Sequence, residues 1–250
     1  MDVDDSNVSE SEYRILLGDQ VKYILVDPGT YNSDILSFPP DHLDQLPELP
    51  SGEWTRARIF RPSGAISFEL SYGSLAAVCS HWHPNLVNTL SLTLHNRLSA
   101  RVRVVMDGSK PAVAKIARFE FEIPLVEKET AIYQAIKDHG IGPTFLGHLV
   151  EHGRVMGFLI EKVEGPYAHI GDLEACQAVT KRLHSLGIVH GDLNRHNFII
   201  SPVGATLIDF ENATQNGSKE AMEKEYKELA EQLMEETGRG GGETEWNDAE

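Results

Sequence analysis

The chain contains no run of about 18 apolar residues, so no transmembrane helix is expected. Its opening Met-Asp-Val-Asp-Asp-Ser lacks the basic and apolar regions of a secretory leader. On both counts a soluble, cytoplasmic protein is expected, with the nucleus left open and no membrane partner. Cysteine is scarce: Cys79 and Cys176 could form one disulfide at most, and in a reducing compartment both are expected as free thiols. Basic residues are also few, 22 Lys and Arg against 38 Asp and Glu, for a net charge of −16. Without a clustered basic stripe to follow phosphates, nucleic-acid binding is not expected. The sequence has no internal repeat, and no Gly-x-x-x-x-Gly-Lys-Ser/Thr that would build a Walker-type phosphate loop.

What is present is ordinary globular composition, 41% hydrophobic and 24% charged over 250 residues, enough for one sizeable core or two small ones. Tyr13–Leu17 and Val21–Val26 flank Gly18-Asp19 as a hairpin, and Trp54–Phe60 and Ala65–Leu70 flank Pro62-Ser63-Gly64 as a second. Between them, residues 37–52 mix prolines with acids and predict an irregular connection. Leu86–Leu94 predicts one strand, and the clearest hairpin joins Arg101–Met106 to Ala112–Ala117 across Asp107-Gly108. A helix over Leu125–Asp138, strands at Thr144–Val150 and Arg154–Glu161, and a helix capped by Asp172 and ending before Gly187 follow. In that helix Cys176, Val179, Leu183 and Leu186 share one face, which assigns the Cys176 thiol to core packing. Met222, Tyr226, Leu229 and Leu233 mark a last amphipathic helix, and the glycine-rich acidic end is expected to be disordered.

The chemistry concentrates late in the chain. His190-Gly191-Asp192-Leu193-Asn194-Arg195-His196-Asn197 is a polar loop in which Asp192 and Asn197 stand five residues apart. Asp209 follows twelve residues after Asn197, at the end of the apolar run Ala205–Ile208. That order and spacing match a catalytic-loop Asp and Asn followed by a metal-binding Asp in a phosphotransferase. A lysine can be sought independently of these motifs. Lys115 lies in the otherwise apolar Ala112-Val113-Ala114-Lys115-Ile116-Ala117, where a charge needs a partner or a phosphate. On the following helix Glu129 shares a face with Leu125, Ile132 and Ile136, so a Lys115–Glu129 ion pair is predicted.

The text His-Gly-Asp-Leu-Asn-Arg-His-Asn-Phe resembles the catalytic loops of small members of the protein-kinase-like superfamily: RIO-type, aminoglycoside-phosphotransferase-type and lipopolysaccharide-kinase-type enzymes. Ile208-Asp209-Phe210-Glu211 resembles the form in choline and aminoglycoside kinases. The resemblance covers about Arg101–Glu236. It implies an α+β, two-lobed fold with a β-rich N-terminal extension and a minimal helical C-lobe. The expected organisation is an acidic disordered tail at 1–12, the extension at 13–93, an N-lobe and hinge at 94–165, the C-lobe at 166–236 and a disordered tail at 237–250. It further implies ATP and Mg²⁺, with Asp192 orienting the acceptor and taking its proton, Asn197 and Asp209 holding the metal, and His190 bracing the loop. Lys115 with Glu129 would serve the nucleotide, and backbone near Glu161 and Val163 would meet adenine as a hinge.

Several departures shape this expectation. Leu94–Ala100, where a protein kinase carries its glycine-rich loop, has no glycine, and Gly191 stands where many kinases place Arg. Little chain follows Asp209, so a long activation segment and an Ala-Pro-Glu anchor are not expected. His81-Trp82-His83 lacks Cys or acidic partners at ligand spacing and is assigned to surface or packing. The reading is therefore a phosphotransferase acting on a hydroxyl of a small molecule or a protein. The alternatives are a pseudokinase that binds nucleotide or partners, and an interaction module in residues 1–93 beside a scaffold.

Overall fold

A computed structural model describes residues 2–3, 9–37 and 45–235, so the tail expected at 237–250 lies outside the described residues. The chain clusters into two compact units. One comprises residues up to Ala76 together with Arg118–Glu120, and the other Ala77–Ala117 with the residues from Phe121 onward.

The first unit contains β1 (Asp2–Val3), β2 (Ser11–Leu17), β3 (Gln20–Val26), α1 (Ser33–Ser37), β4 (Arg56–Phe60) and β5 (Ser67–Ser71). They form one five-stranded sheet in that strand order. Ser11 and Glu12, within the expected tail, belong to β2, and Asp2–Val3 pair with Arg14 and Tyr13. Both predicted hairpins are present as β2–β3 and β4–β5. The connection between them holds two features the sequence did not suggest. β3 and β4 run parallel, from Tyr23 opposite Arg56 to Val26 opposite Ile59, and a crossover carries α1. Asn32 Oδ1 accepts from Ile35 N–H at 3.0 Å to start that helix, and Ile35 and Leu36 close over Tyr13, Ile24 and Ile59. Buried Lys22 donates to the carbonyls of Gly52 and Trp54 and lies 5.0 Å from the Trp54 ring centre.

The second unit is mixed α and β. It contains β6 (Leu86–Asn88), β7 (Thr93–Arg97), β8 (Val102–Asp107), β9 (Lys110–Ile116), α2 (Ile123–Ile136), β10 (Phe145–Glu151) and β11 (Arg154–Glu161). These are followed by α3 (Leu173–Ser185), β12 (Ile188–Val189), β13 (Phe198–Ser201), β14 (Gly204–Leu207), β15 (Thr214–Gln215) and α4 (Lys219–Met234). A six-stranded sheet takes the order β6-β10-β11-β9-β8-β7, while β12 pairs β15 and β13 pairs β14. No helix among the described residues is long and apolar enough to cross a membrane.

Three expectations are corrected here. The single strand at Leu86–Leu94 is two strands on opposite edges of the sheet, separated by a 3-10 turn at Thr89–Ser91. Asn88 Oδ1 accepts from Leu90 N–H at 2.9 Å, an Asx turn that competes with continued extension. On α2 Ile132 and Ile136 are buried with Glu129 as read, but the buried face continues through Val126, Thr130 and Tyr133, and Leu125 is 36% exposed. Asp172 stands at the N-cap position of α3 but makes no cap bond; its carboxylate turns back to His169, accepting from its backbone N–H at 3.0 Å. The α3 face is otherwise as read, with Cys176, Val179 and Leu183 buried. Burial pushes the Cys176 thiol up to about 12, an inert core group.

Candidate functional site

Register places the lysine. In β9, Lys115 stands opposite Val102 of β8 and Phe158 of β11, and only 6% of it is exposed. Its Nζ lies 2.6 Å from Glu129 Oε2 on α2, 2.7 Å from Asp209 Oδ1 and 3.2 Å from Glu211 Oε2. The predicted Lys115–Glu129 pair is thus formed, inside a larger cluster. Burial alone would lower the Lys115 pKa, but Glu129 and Asp209 outweigh it and hold the ammonium well above its ordinary value. Asp209 is correspondingly held below the usual carboxylate range: burial opposes this, and the Lys115 charge and hydrogen bond prevail.

Asp209 has φ 59° and ψ 70°, a left-handed turn between β14 and the 3-10 turn Phe210–Asn212. That turn sends Asp209 and Glu211 toward Lys115 while Phe210 enters the core. Phe210 N–H donates to Glu129 Oε1 at 3.2 Å, and its ring lies between Tyr133 (5.3 Å) and His190 (5.2 Å). One glutamate therefore binds both the lysine and the turn that presents Asp209.

The His190–Asn197 loop follows β12. His190 is fully buried, with Nε2 3.1 Å from the Ile208 carbonyl, and burial holds its pKa below the ordinary value. Asn197 Nδ2 donates to the Asp192 carbonyl at 2.8 Å, and Ile208 N–H donates to the Asn197 carbonyl at 3.0 Å. From α4, Glu225 accepts from Gly191 N–H at 2.7 Å and His190 N–H at 3.1 Å, and its Oε2 lies 2.7 Å from His184 Nε2. Gly191 has φ +84°, and a Cβ there would meet the Asn212 carbonyl oxygen at 2.6 Å. No side chain, arginine included, fits that position without moving the backbone.

A cavity of about 600 Å³ brings six of the eight sequence-predicted residues together: Lys115, Glu129, Glu161, Val163, Asn197 and Asp209. Glu161 N–H is committed to the Thr144 carbonyl at 2.8 Å, so backbone donors of this segment come from beyond it. The other two stand elsewhere. His190 is buried behind Asp209, and Asp192 lines a second cavity of about 290 Å³ bounded by Lys224, Glu225 and Glu228 of α4. Asp192 is half-buried, and among the described residues no hydrogen bond reaches its carboxylate.

Sequence reasoning missed Arg101, Glu211 and Glu225. Arg101 Nη2 lies 2.6 Å from Glu211 Oε2, the oxygen that Lys115 also contacts. Glu211 was read within the motif Ile208-Asp209-Phe210-Glu211 but given no role of its own. Glu225 carried no signal among the many acids of α4. The segment His81-Trp82-His83 packs against α2 and β10: Trp82 Nε1 donates to the Thr130 carbonyl at 3.1 Å, and its ring lies 4.4 Å from Phe145.

Acidic oxygens of Glu129, Asp209 and Glu211 lie within 4.8 Å of one another beside Lys115, in the cavity of about 600 Å³. Residues 165–249 match the lipopolysaccharide kinase (Kdo/WaaP) family. This is a protein-kinase-like family, as the catalytic-loop text suggested. The match includes His190–Asn197, Asp209 and Glu225, and it leaves Lys115, Glu129 and Arg101 outside. The ion pair across the cavity is therefore an observation separate from the match. No curated protein matches the chain.

Proposed function

We propose that the second unit is an ATP- and Mg²⁺-dependent phosphotransferase of two-lobed kinase type, moving the γ-phosphate to a hydroxyl of a small molecule or protein. The observation that carries this reading is Lys115, held at 2.6 Å by Glu129 and at 2.7 Å by Asp209 on the wall of a 600 Å³ cavity that also includes Asn197. The six-stranded sheet with α2 serves as one lobe, the segment from α3 to α4 as the other, and Glu161–Gly165 as the link. Phosphoryl transfer requires little covalent participation by the protein and depends on positioning and charge neutralisation. The residues present suit that task.

The donor set fits Mg²⁺, a hard cation that prefers oxygen ligands. Asp209 would hold it, with Asn197 Oδ1 and Glu211 as further oxygen donors, and the ion would neutralise charge on the transferred group. Four carboxylates, those of Glu122, Glu129, Asp209 and Glu211, face two cations, Lys115 and Arg101, which leaves an excess of negative charge for a cation to balance. Asp192 orients the acceptor hydroxyl and takes its proton, and the second cavity gives that acceptor access from the α4 side. His190 fixes the loop by its bond to Ile208. The backbone beyond Glu161, at Val163, meets the adenine. The pseudokinase alternative is not favoured, since lysine, helix glutamate, loop Asp and Asn, and Asp209 are all present.

The test is thermal stabilisation by ATP with and without Mg²⁺, followed by ADP release. A Mg²⁺-dependent shift with turnover lost in Asp192→Ala is expected; the absence of any nucleotide shift would refute the reading.

A further inference from the structure

A glycine-rich turn grips phosphates with backbone N–H groups that the missing side chains leave open. The β7–β8 turn cannot do this. Leu98 N–H and Ser99 N–H both donate to the Val102 carbonyl, each at 3.0 Å. Arg101 N–H and Val102 N–H both donate to Ser99 Oγ, at 3.3 and 3.2 Å. The backbone donors of Leu98, Ser99, Arg101 and Val102 are thus consumed within the turn, and Ala100 does not line the cavity, yet Leu98, Ser99 and Arg101 do.

Arg101 is placed where a replacement would be needed. Its carbonyl accepts from Ile116 N–H at 3.0 Å, which ties its backbone to β9 beside Lys115. Its Nη2 and Lys115 Nζ converge on a single oxygen, Glu211 Oε2, at 2.6 and 3.2 Å. Two cations meeting on one anionic oxygen reproduce what a phosphoryl oxygen would encounter there. Meanwhile Arg101 Nη1 is buried with no acceptor among the described residues. That atom is closed to solvent, so a ligand is met by the rest of the side chain, which is 21% exposed and stands on the cavity wall. Lys115 alone is poorly suited to the role, because Glu129 and Asp209 already surround it.

We propose that Arg101 is the polyphosphate-binding side chain of this cavity, supplying from a guanidinium the donors that a glycine turn supplies from backbone. The guanidinium meets the phosphate chain at the cavity wall, while Glu211 at Nη2 and Glu122, 3.9 Å from Nε, set the orientation of the fork. The assignment rests on the nucleotide-binding reading above, and it makes the affinity for phosphates, not for the nucleoside, depend on Arg101.

The experiment compares calorimetric affinities of the full chain for ATP with Mg²⁺ and for adenosine. In Arg101→Ala, ATP affinity is expected to fall about 10- to 100-fold, the scale of one charge-assisted hydrogen bond, while adenosine affinity stays within about twofold. Adenosine binding also reports that the variant has folded. Should Arg101→Ala be unstable because Glu211 loses its partner, the double variant Arg101→Met with Glu211→Gln removes both charges together and must show the same selective loss relative to Glu211→Gln alone, which controls for Glu211 as a metal donor. A variant that binds ATP as the wild type does overturns the role of Arg101 and leaves the parent reading intact. A wild-type chain that binds neither ligand overturns both.

Discussion

Glu225 on α4 accepts hydrogen bonds from two consecutive backbone N–H groups of the His190–Asn197 loop, His190 at 3.1 Å and Gly191 at 2.7 Å. Burial would raise its pKa, but the hydrogen bonds from His184 and from these two amides hold it below the usual carboxylate range. The carboxylate is therefore an anionic acceptor held by three donors. Glu225→Ala leaves part-buried amides without a partner and is expected to cost about 2–4 kcal/mol in urea unfolding. Glu225→Gln, which keeps one acceptor oxygen, should cost less than half as much. If alanine and glutamine prove equally mild, the loop is held by other contacts.

Gly191 gives a second test of the same loop. With φ +84° and only 2.6 Å between an added Cβ and the Asn212 carbonyl oxygen, Gly191→Ala is expected to destabilise by about 2–3 kcal/mol. Gly191→Arg should be no better tolerated, since the conflict arises at Cβ. Unfolding midpoints of the two variants within experimental error of wild type would contradict this placement.

The Lys115 cluster predicts a coupling. Lys115→Met leaves the buried carboxylate of Glu129 and the exposed one of Asp209 without their cation, and a loss of about 3–5 kcal/mol, mostly from Glu129, is expected. Adding Glu129→Gln removes one of the stranded charges, so the double variant should be more stable than the sum of the two single losses predicts. A double-mutant cycle by chemical denaturation measures this; strict additivity would mean the pair is not coupled.

How much of this could be read from sequence follows from range. Asp107-Gly108 defines its own hairpin, and a single charge in the otherwise apolar Ala112–Ala117 brought Lys115 into view. The 3.6-residue period turned Glu129 inward, because both signals act over a few residues. Period also misled slightly: Leu125 was placed on the buried stripe, which in fact runs through Val126 and Thr130. The parallel pairings of β3 with β4 and β6 with β10 have no local signature, since each joins segments distant in sequence. Arg101 reaches Glu211 across 110 residues and Glu225 reaches Gly191 across 34, and nothing near either residue announces the partner. The site was thus legible where a motif or a period marks it. Its supports, made by long-range side chains, were not.

The acid limb of stability should depend on His148. It is fully buried, and its Nε2 accepts from His83 N–H at 3.2 Å, so the ring must be neutral there to keep a lone pair. Burial first, and then the neighbouring His81 and His83, depress its pKa from 6.5 to about 4. The unfolded chain therefore binds a proton that the folded chain refuses between these values. Stability contributed by the neutral ring is fully present above about pH 6.5 and is lost as pH falls toward 4, by about 3 kcal/mol at most. His190, also buried with a lowered pKa, contributes in the same direction, so the diagnostic quantity is the difference between wild type and His148→Gln. The variant, having no group to protonate at that position, should show a shallower decline in unfolding free energy between pH 6.5 and pH 4. Parallel curves over that range would show that His148 is protonated as easily in the folded chain as in the unfolded one, and that the packing of Trp82 and His83 against β10 does not depend on its neutrality.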